Sequence, residues 1–350
     1  MGIIMEKNQF RRDPVTGQWS IIIQGDYNVS ELINRSNVRY KSQPDDISKK
    51  YCAGFEAETA SEIFAIRDGN SSKNHPGWKV RVLPRPQPFL QIYGELNSRG
   101  VGLYDVLDGI GAHELVIETP ESGKQIHDMD TEQIQHILTA YKERILDLKR
   151  DVRFRYVMVQ KNYGEGNDDL RYHAHSHVIA TPITPTRVKT ELINAREHYL
   201  YKERCIFCDI VNQELSDNER IVFENEFFVA MSPFASRAPF EIWILPKVHE
   251  TFFELNNQFC LLADILHEIL RKIHVTLQDP NYVLVLHSGP NIAAGKQRGY
   301  WKTLEKDYHW HFEFTPRFRG YTGFDVGSGF HINVVTPERA TKLLIDEKVD

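Results

Sequence analysis

Three histidines at alternate positions carry the densest chemistry in the sequence. They lie in His173-Ala174-His175-Ser176-His177, followed by Val178-Ile179-Ala180-Thr181-Pro182. In an extended strand alternate side chains share a face, so the imidazoles form one row while Ala174, Ser176 and Val178 face the other way. An imidazole nitrogen is nucleophilic at neutral pH, and its phosphoramidate is reactive enough to pass the group on. The row therefore suits phosphoryl chemistry. His175, in the middle, can be braced by its neighbours; His173 would orient it or the local backbone, and His177 could donate to a non-bridging or leaving oxygen. The competing reading is a metal-binding or merely solvated His-rich strand.

A second constellation is Cys205-Ile206-Phe207-Cys208 with the distant His249 and His309. Two thiolates on a tight turn and two imidazoles make a Cys2His2 set, which suits a closed, structural zinc site. Two buried thiols with unrelated histidines are the plainer alternative. A different metal arrangement, Glu191 and His287 with His309 and His311, ranks second because it leaves the cysteines idle. Asn162 and Gly164 could place donors and backbone amides around a phosphate, or form an ordinary turn. Gly323 to Gly329, with Phe324 and Asp325, could close over a ligand or form a tight turn between strands.

These residues need elements to hold them. Asp13-Pro14-Val15-Thr16-Gly17 reads as a turn feeding a strand, Trp19 to Ile23. Strands are predicted over Trp78–Leu83, His113–Glu118 and Phe154–Gln160, and a polar loop over Asn162–Tyr172 delivers the chain to the histidine strand. Helical spacing of Ile134, Ile137, Leu138, Tyr141, Ile145 and Leu148 predicts a helix from a Thr131 cap to about Lys149. Another helix follows over roughly 185–201. The order then recurs: strand Phe240–Leu245, helix Asn257–Leu277, strand Tyr282–Leu286, a loop over 288–307, and Tyr308-His309-Trp310-His311-Phe312-Glu313. This is an internal duplication. Laying Glu114–Ile117 on Glu241–Ile244 sets Ser122 opposite His249. The histidine strands set His173 opposite His309, His175 opposite His311 and His177 opposite Glu313. The first copy has the full histidine row; the second has the full metal set. The expected fold is α+β, two antiparallel-sheet halves with helices packed on them, divided as 1–195 and 196–350.

The net charge of -6 argues against broad nucleic-acid or membrane-surface binding. No apolar run approaches the roughly 18 residues that span a bilayer. The first residues lack a signal-peptide core, and four cysteines suit a reducing compartment better than a disulfide framework. The expectation is a soluble, cytoplasmic enzyme.

Taken together, the motifs resemble the galactose-1-phosphate uridylyltransferase branch of the histidine-triad superfamily over nearly the whole chain. The resemblance lies in Arg11 to Trp19, in His113 to Glu121, in the spacing of Asn162 and Gly164 to His173, in Tyr308 to His311, and in Gly323 to Gly329. Cys205 to Cys208 and Pro246 to His249 are similar to the zinc-bearing start of small histidine-triad proteins. The resemblance implies a duplicated histidine-triad fold and a homodimer. It implies transfer of a nucleoside monophosphate, UMP foremost, between a nucleotide sugar and a hexose 1-phosphate, through a covalent nucleotidyl group on His175. His173 and His177 complete the catalytic set, and Asn162, Gly164, Ser176, Arg85, Phe324 and Asp325 the substrate-binding set. Zinc would be held by Cys205, Cys208, His249 and His309.

Several positions depart from the family pattern. His177 replaces a glutamine thought to favour transfer to a sugar phosphate, and histidine there is usual in hydrolase-like relatives. This keeps open a phosphorylase or hydrolase of nucleotide sugars or dinucleotides, while Asp168-Asp169 and the incomplete first-copy metal set keep open a non-catalytic nucleotide-binding relative. Asp168-Asp169-Leu170 replaces Gly-Ala-Ser, and two carboxylates beside a phosphate would repel it unless they point away or bind a cation. Gln24 to Tyr27 replaces an arginine-rich segment, Arg85 replaces an asparagine, and Lys49 and Ser122 break the first copy's metal set.

Overall fold

One ten-stranded sheet holds both copies of the duplication. The computed structural model describes residues 7–25, 27–36, 46–69, 71–164, 173–294, 301–318 and 322–346. The strands are β1 (Gln9–Arg12), β2 (Trp19–Ile22), β3 (Phe64–Arg67), β4 (Trp78–Pro84), β5 (Arg99–Val101), β6 (Tyr104–Val106), β7 (Ala112–Ile117), β8 (Tyr156–Tyr163) and β9 (His175–Thr181) in the first copy. They continue as β10 (Ile221–Glu224), β11 (Phe228–Met231), β12 (Ile242–Pro246), β13 (Tyr282–His287), β14 (His311–Pro316) and β15 (His331–Asn333). The helices are α1 (Val29–Ser36), α2 (Asp46–Lys49), α3 (Thr131–Leu148), α4 (Thr186–Lys202), α5 (Ile206–Asp217), α6 (Phe259–Thr276), α7 (Leu304–Asp307), α8 (Gly323–Ser328) and α9 (Pro337–Asp346).

The sheet order is β10-β11-β12-β14-β13-β8-β9-β7-β4-β3. Read outward from the centre, each half runs in the same sequence, so β8 matches β13, β9 matches β14 and β7 matches β12. The halves join where β8 and β13 pair antiparallel, Leu284 opposite Lys161 and Leu286 opposite Val159. Gly164 follows β8 at φ +91°, and a Cβ there would lie 1.6 Å from Asn281 Oδ1. Only glycine lets the chain leave the seam so close to Asn281.

Strand register corrects the sequence alignment by one residue. Leu115 faces His177 and Trp243 faces Glu313. Leu115 therefore corresponds to Trp243, not to Ile242, and His113 corresponds to Glu241. A one-residue slip moves every side chain to the other face of a sheet, so the difference decides which residues share the site.

The helix α3 buries Ile134, Ile137, Leu138, Tyr141, Ile145 and Leu148, the stripe that helical spacing predicts. Each buried apolar side chain contributes about 1.5–3 kcal/mol, so the stripe anchors α3 on the sheet. Its cap is Asp130, whose carboxylate accepts the Gln133 N–H at 2.8 Å; Thr131 is the first helical residue. On the same layer α6 packs against α3. The other face of the sheet is covered unequally. Over the second half, α4 and α5 bring Val188, Leu192, Ile206, Phe207 and Val211 onto Met231, Trp243 and Leu245. Over the first half the corresponding apolar cluster among the described residues is smaller, Tyr51, Trp78, Leu83, Leu115 and Ile117 with Ala65 against it.

The boundary expected at 195 falls inside α4. The strands β1 and β2 join β15 in a separate three-stranded sheet, and Arg11 pairs with Glu338 of α9 at 2.7 Å. The chain's first strands thus pack with elements of the second copy. No described helix is long and apolar enough to cross a membrane.

Candidate active site

The strand β9 lies between β7 and β8, both antiparallel to it. His175 stands opposite Ile117 and His177 opposite Leu115, so both rings project on the thinly covered face. Nδ1 of His175 lies 2.8 Å from the His173 carbonyl oxygen. A carbonyl only accepts, so Nδ1 carries the proton and the lone pair resides on Nε2. That tautomer can attack phosphorus through Nε2, and the carbonyl stabilises the positive charge that the ring gains. His173 therefore orients its neighbour through its backbone.

The His173 ring is held elsewhere. Its Nε2 donates to the Thr119 carbonyl at 2.8 Å, leaving the Nδ1 lone pair facing Cys52 Sγ at 3.9 Å. Burial lowers its pKa to about 4, so the ring is neutral at pH 7. His177 Nδ1 lies 3.1 Å from Nε2 of His113, a fourth imidazole on this face, and Phe89 packs on His113 at 4.5 Å between ring centroids. His113 was visible only as part of an apolar strand; its place beside His177 follows from register.

Behind the strand lies a polar network that sequence reasoning missed. Lys161 Nζ donates to Glu118 at 2.6 Å and to the carbonyl of His175 at 3.0 Å. The Tyr141 hydroxyl bonds Ser176 Oγ at 2.7 Å and Glu118 at 3.2 Å. The Ser176 side chain is fully buried in this network on the α3 side of the sheet. It is not on the histidine face, and its expected contact with substrate is corrected to support of the strand from behind. Arg144 pairs with Glu114 through two bonds of 2.7 and 2.8 Å on the same side.

Asn162 is exposed on β8. Gln160 faces His177, and extending that register by two residues sets Asn162 opposite His175, as His287 stands opposite His311. Gly164 sits at the seam against Asn281. Arg85 follows β4, its N–H bonded to the His113 carbonyl at 3.0 Å, at the edge of the histidine face. Phe324 and Asp325 lie in α8, a short helix where the sequence left open a ligand-closing segment or a turn between strands. The Asp325 carboxylate caps that helix by accepting the Thr322 N–H at 2.8 Å, and the Phe324 ring packs near Phe330 at 6.2 Å. Asp168 and Asp169 lie outside the described residues.

The second half gathers the metal set. Cys205 is the N-cap of α5 and Cys208 lies in its first turn, where the helix end favours thiolates. Cys208 Sγ lies 3.4 Å from His249 Nδ1 and 3.6 Å from His309 Nδ1. Such separations suit donors about 2.0–2.3 Å from one tetrahedral ion. Nε2 of His249 donates to the Glu305 carbonyl at 3.0 Å, which turns the Nδ1 lone pair inward. Hydrogen bonding from Cys205, then from His249 and His309, lowers the Cys208 pKa to about 3. The donor set fits a zinc-class ion.

The competing cluster is Glu191, His287, His311 and Glu313; it includes Glu313 in place of the expected His309. Guanidiniums already face its carboxylates, while Glu191 Oε1 and His311 Nε2 are buried without a hydrogen bond. Arg187 reaches Glu191 at 3.3 Å and also pairs with Glu313, Arg237 reaches Glu313 at 2.9 Å, and His287 Nδ1 lies 3.0 Å from Glu191. The position matching His113 and His177 thus holds Glu241 and Glu313, bridged by Arg237. In the first half Cys52 and His173 meet beside Ser122, and among the described residues no third ligand-type side chain completes a group with them. A cavity of about 490 Å³ opens beside the β1–β2 turn, lined by Ile206, Met231, Phe234 and Trp243; the histidine strand is not among its walls.

No family model matches the chain. ADP-glucose phosphorylase of Arabidopsis thaliana is 31% identical over 344 residues, covering 96% of this chain and 92% of that protein. Galactose-1-phosphate uridylyltransferase of Thermotoga maritima is 25% identical over 264 residues, covering 73% of this chain and 80% of that protein. The crystal structure of the Arabidopsis phosphorylase with bound ADP-glucose superposes with a TM-score of 0.79 at 27% identity, covering 99% of this chain and 100% of that one. With the duplicated sheet and the histidine strand in place, the chain is a divergent member of the galactose-1-phosphate uridylyltransferase family.

Proposed function

We propose that the chain is an enzyme that transfers a nucleoside monophosphate from a nucleotide sugar to a phosphate acceptor through His175. The observation that carries this reading is the His175 tautomer: Nδ1–H bonded to the His173 carbonyl at 2.8 Å, with the lone pair on Nε2. Nε2 attacks the α-phosphorus, the P–O bond to the sugar phosphate breaks, and sugar 1-phosphate leaves. The acceptor's oxygen then attacks the nucleotidyl-His175 and restores the imidazole. His177, with His113 behind it, donates toward the non-bridging or leaving oxygen. Asn162 and Arg85 contact the phosphates from the edges of the same face.

Inorganic phosphate is the acceptor this reading favours, giving a nucleoside diphosphate and a sugar 1-phosphate. Two facts support it: His177 where the family pattern has glutamine, and the full-length similarity to a phosphorylase. The second reading, exchange of UMP with a hexose 1-phosphate, is supported by the family itself. A zinc ion on Cys205, Cys208, His249 and His309 would tie α5 to β12 and β14 as a structural support. The homodimer and the cytoplasmic location belong to the same proposal. Incubation with ADP-glucose or UDP-glucose, with and without phosphate or hexose 1-phosphate, separates the readings by which product forms. No product from any pairing would reject both.

A further inference from the structure

Away from both histidine strands, three ligand-type side chains converge across the seam. His127 lies in the single turn Ile126–Asp128 that precedes α3, His274 in the last turn of α6, and Asp279 in the link from α6 to β13. One ligand atom from each lies within 4.8 Å of the others. The two imidazoles are stacked, with centroids 3.9 Å apart and planes at 20°. Nδ1 of His274 is 3.3 Å from Asp279 Oδ1, yet it is buried and makes no hydrogen bond. Two donors about 2.0–2.1 Å from a tetrahedral zinc stand roughly 3.3 Å apart. The spacing is thus that of two ligands sharing an ion.

The fold holds Asp279 in place. Its φ of +65° is in the left-handed region, and its N–H bonds the His274 carbonyl at 2.9 Å. The Tyr163 hydroxyl donates to the same carboxylate at 2.6 Å, which orients it as an outer partner orients a metal ligand. Asp128 lies 3.6 Å from Nε2 of His127. The side chains of His274 and Asp279 are 38% and 35% exposed, so a further position is open to water.

We propose that His127, His274 and Asp279 bind a divalent transition metal of the zinc class as an exchangeable clasp between the two halves. Two imidazoles and a carboxylate suit that class, and an open fourth position makes the ion exchangeable where the Cys2His2 set is closed. Entry of the ion tilts the stacked rings so that their lone pairs converge. The clasp does not depend on the nucleotidyl-transfer reading.

The test is equilibrium dialysis of the full-length protein against micromolar zinc chloride, with metal counted per chain by elemental analysis and melting followed by circular dichroism. Wild type should take up one equivalent beyond the metal that survives extensive dialysis, and should melt higher with zinc than without. His274→Ala and Asp279→Asn should each lose that equivalent and the shift. Asparagine tolerates the left-handed conformation, so Asp279→Asn remains folded. No extra equivalent in wild type would overturn the proposal, as would an extra equivalent that persists in both variants.

Discussion

Nε2 of His113 lies 3.1 Å from Nδ1 of His177, and both rings are buried. One nitrogen donates and the other accepts, so a proton added to the accepting nitrogen breaks the bond. The second half has Glu241 and Glu313 in those positions, locked by Arg237. The first half thus has two imidazoles in hydrogen-bond contact where the second has an ion network. His113→Phe retains a ring against Phe89 and should lower turnover about tenfold to a hundredfold, below the 10²–10⁴ range of a direct general acid. Turnover equal to wild type would show that His113 only fills space.

His177→Gln addresses the acceptor. Product should shift from free nucleotide toward exchange with sugar phosphate, measured by chromatography of the nucleotide pool. Unchanged partitioning would remove His177 from acceptor choice.

Much of the architecture was legible. The α3 stripe, the alternating strands and the repeated order of elements are encoded by local periodicity, and Cys205, Cys208, His249 and His309 could be matched through the repeat. What escaped depends on register and tertiary contact. Glu114 and Glu241 looked equivalent because both open an apolar strand, but Glu114 faces α3 and pairs with Arg144 while Glu241 faces Arg237. Lys161 and Glu118 are ordinary charges in sequence and become a buried pair only when β8, β9 and β7 come together. Ser176 alternates with the histidines, a cue that it faces the other way.

That buried pair gives a stability prediction. The side chains of Lys161 and Glu118 are 3% and 0% exposed. Lys161→Met leaves Glu118 buried without its cation and should cost about 3–5 kcal/mol. Lys161→Met with Glu118→Gln should recover part of that loss in denaturant melts. An additive double variant would mean that the pair is not coupled.

His173 predicts how stability varies with pH. Its folded pKa, lowered by burial to about 4, lies below the ordinary value of 6.5. Between those values the unfolded chain binds a proton that the folded chain does not, so this contribution is present above pH 6.5 and is lost as pH falls toward 4. His173→Gln, which keeps a donor for Thr119, should flatten unfolding free energy against pH in that window by one proton's slope. Equal slopes for wild type and variant would contradict the assignment.

For the Cys2His2 set, Cys208→Ser should lose the tightly held zinc and lower the melting temperature more than it slows turnover, since a closed site contributes folding energy. Elemental analysis of extensively dialysed wild type should find one equivalent per chain. Two equivalents or none would refute that stoichiometry.

The proposed reaction turns on a covalent nucleotidyl intermediate on His175. Mass spectrometry of the intact protein, followed by peptide mapping, after brief exposure to ADP-glucose or UDP-glucose without acceptor tests it most directly. A mass increase of one nucleotidyl group is expected on the peptide carrying His175, discharged by adding phosphate or a hexose 1-phosphate and absent in His175→Ala. Product formation with no adduct, or with the adduct on another residue, would contradict it.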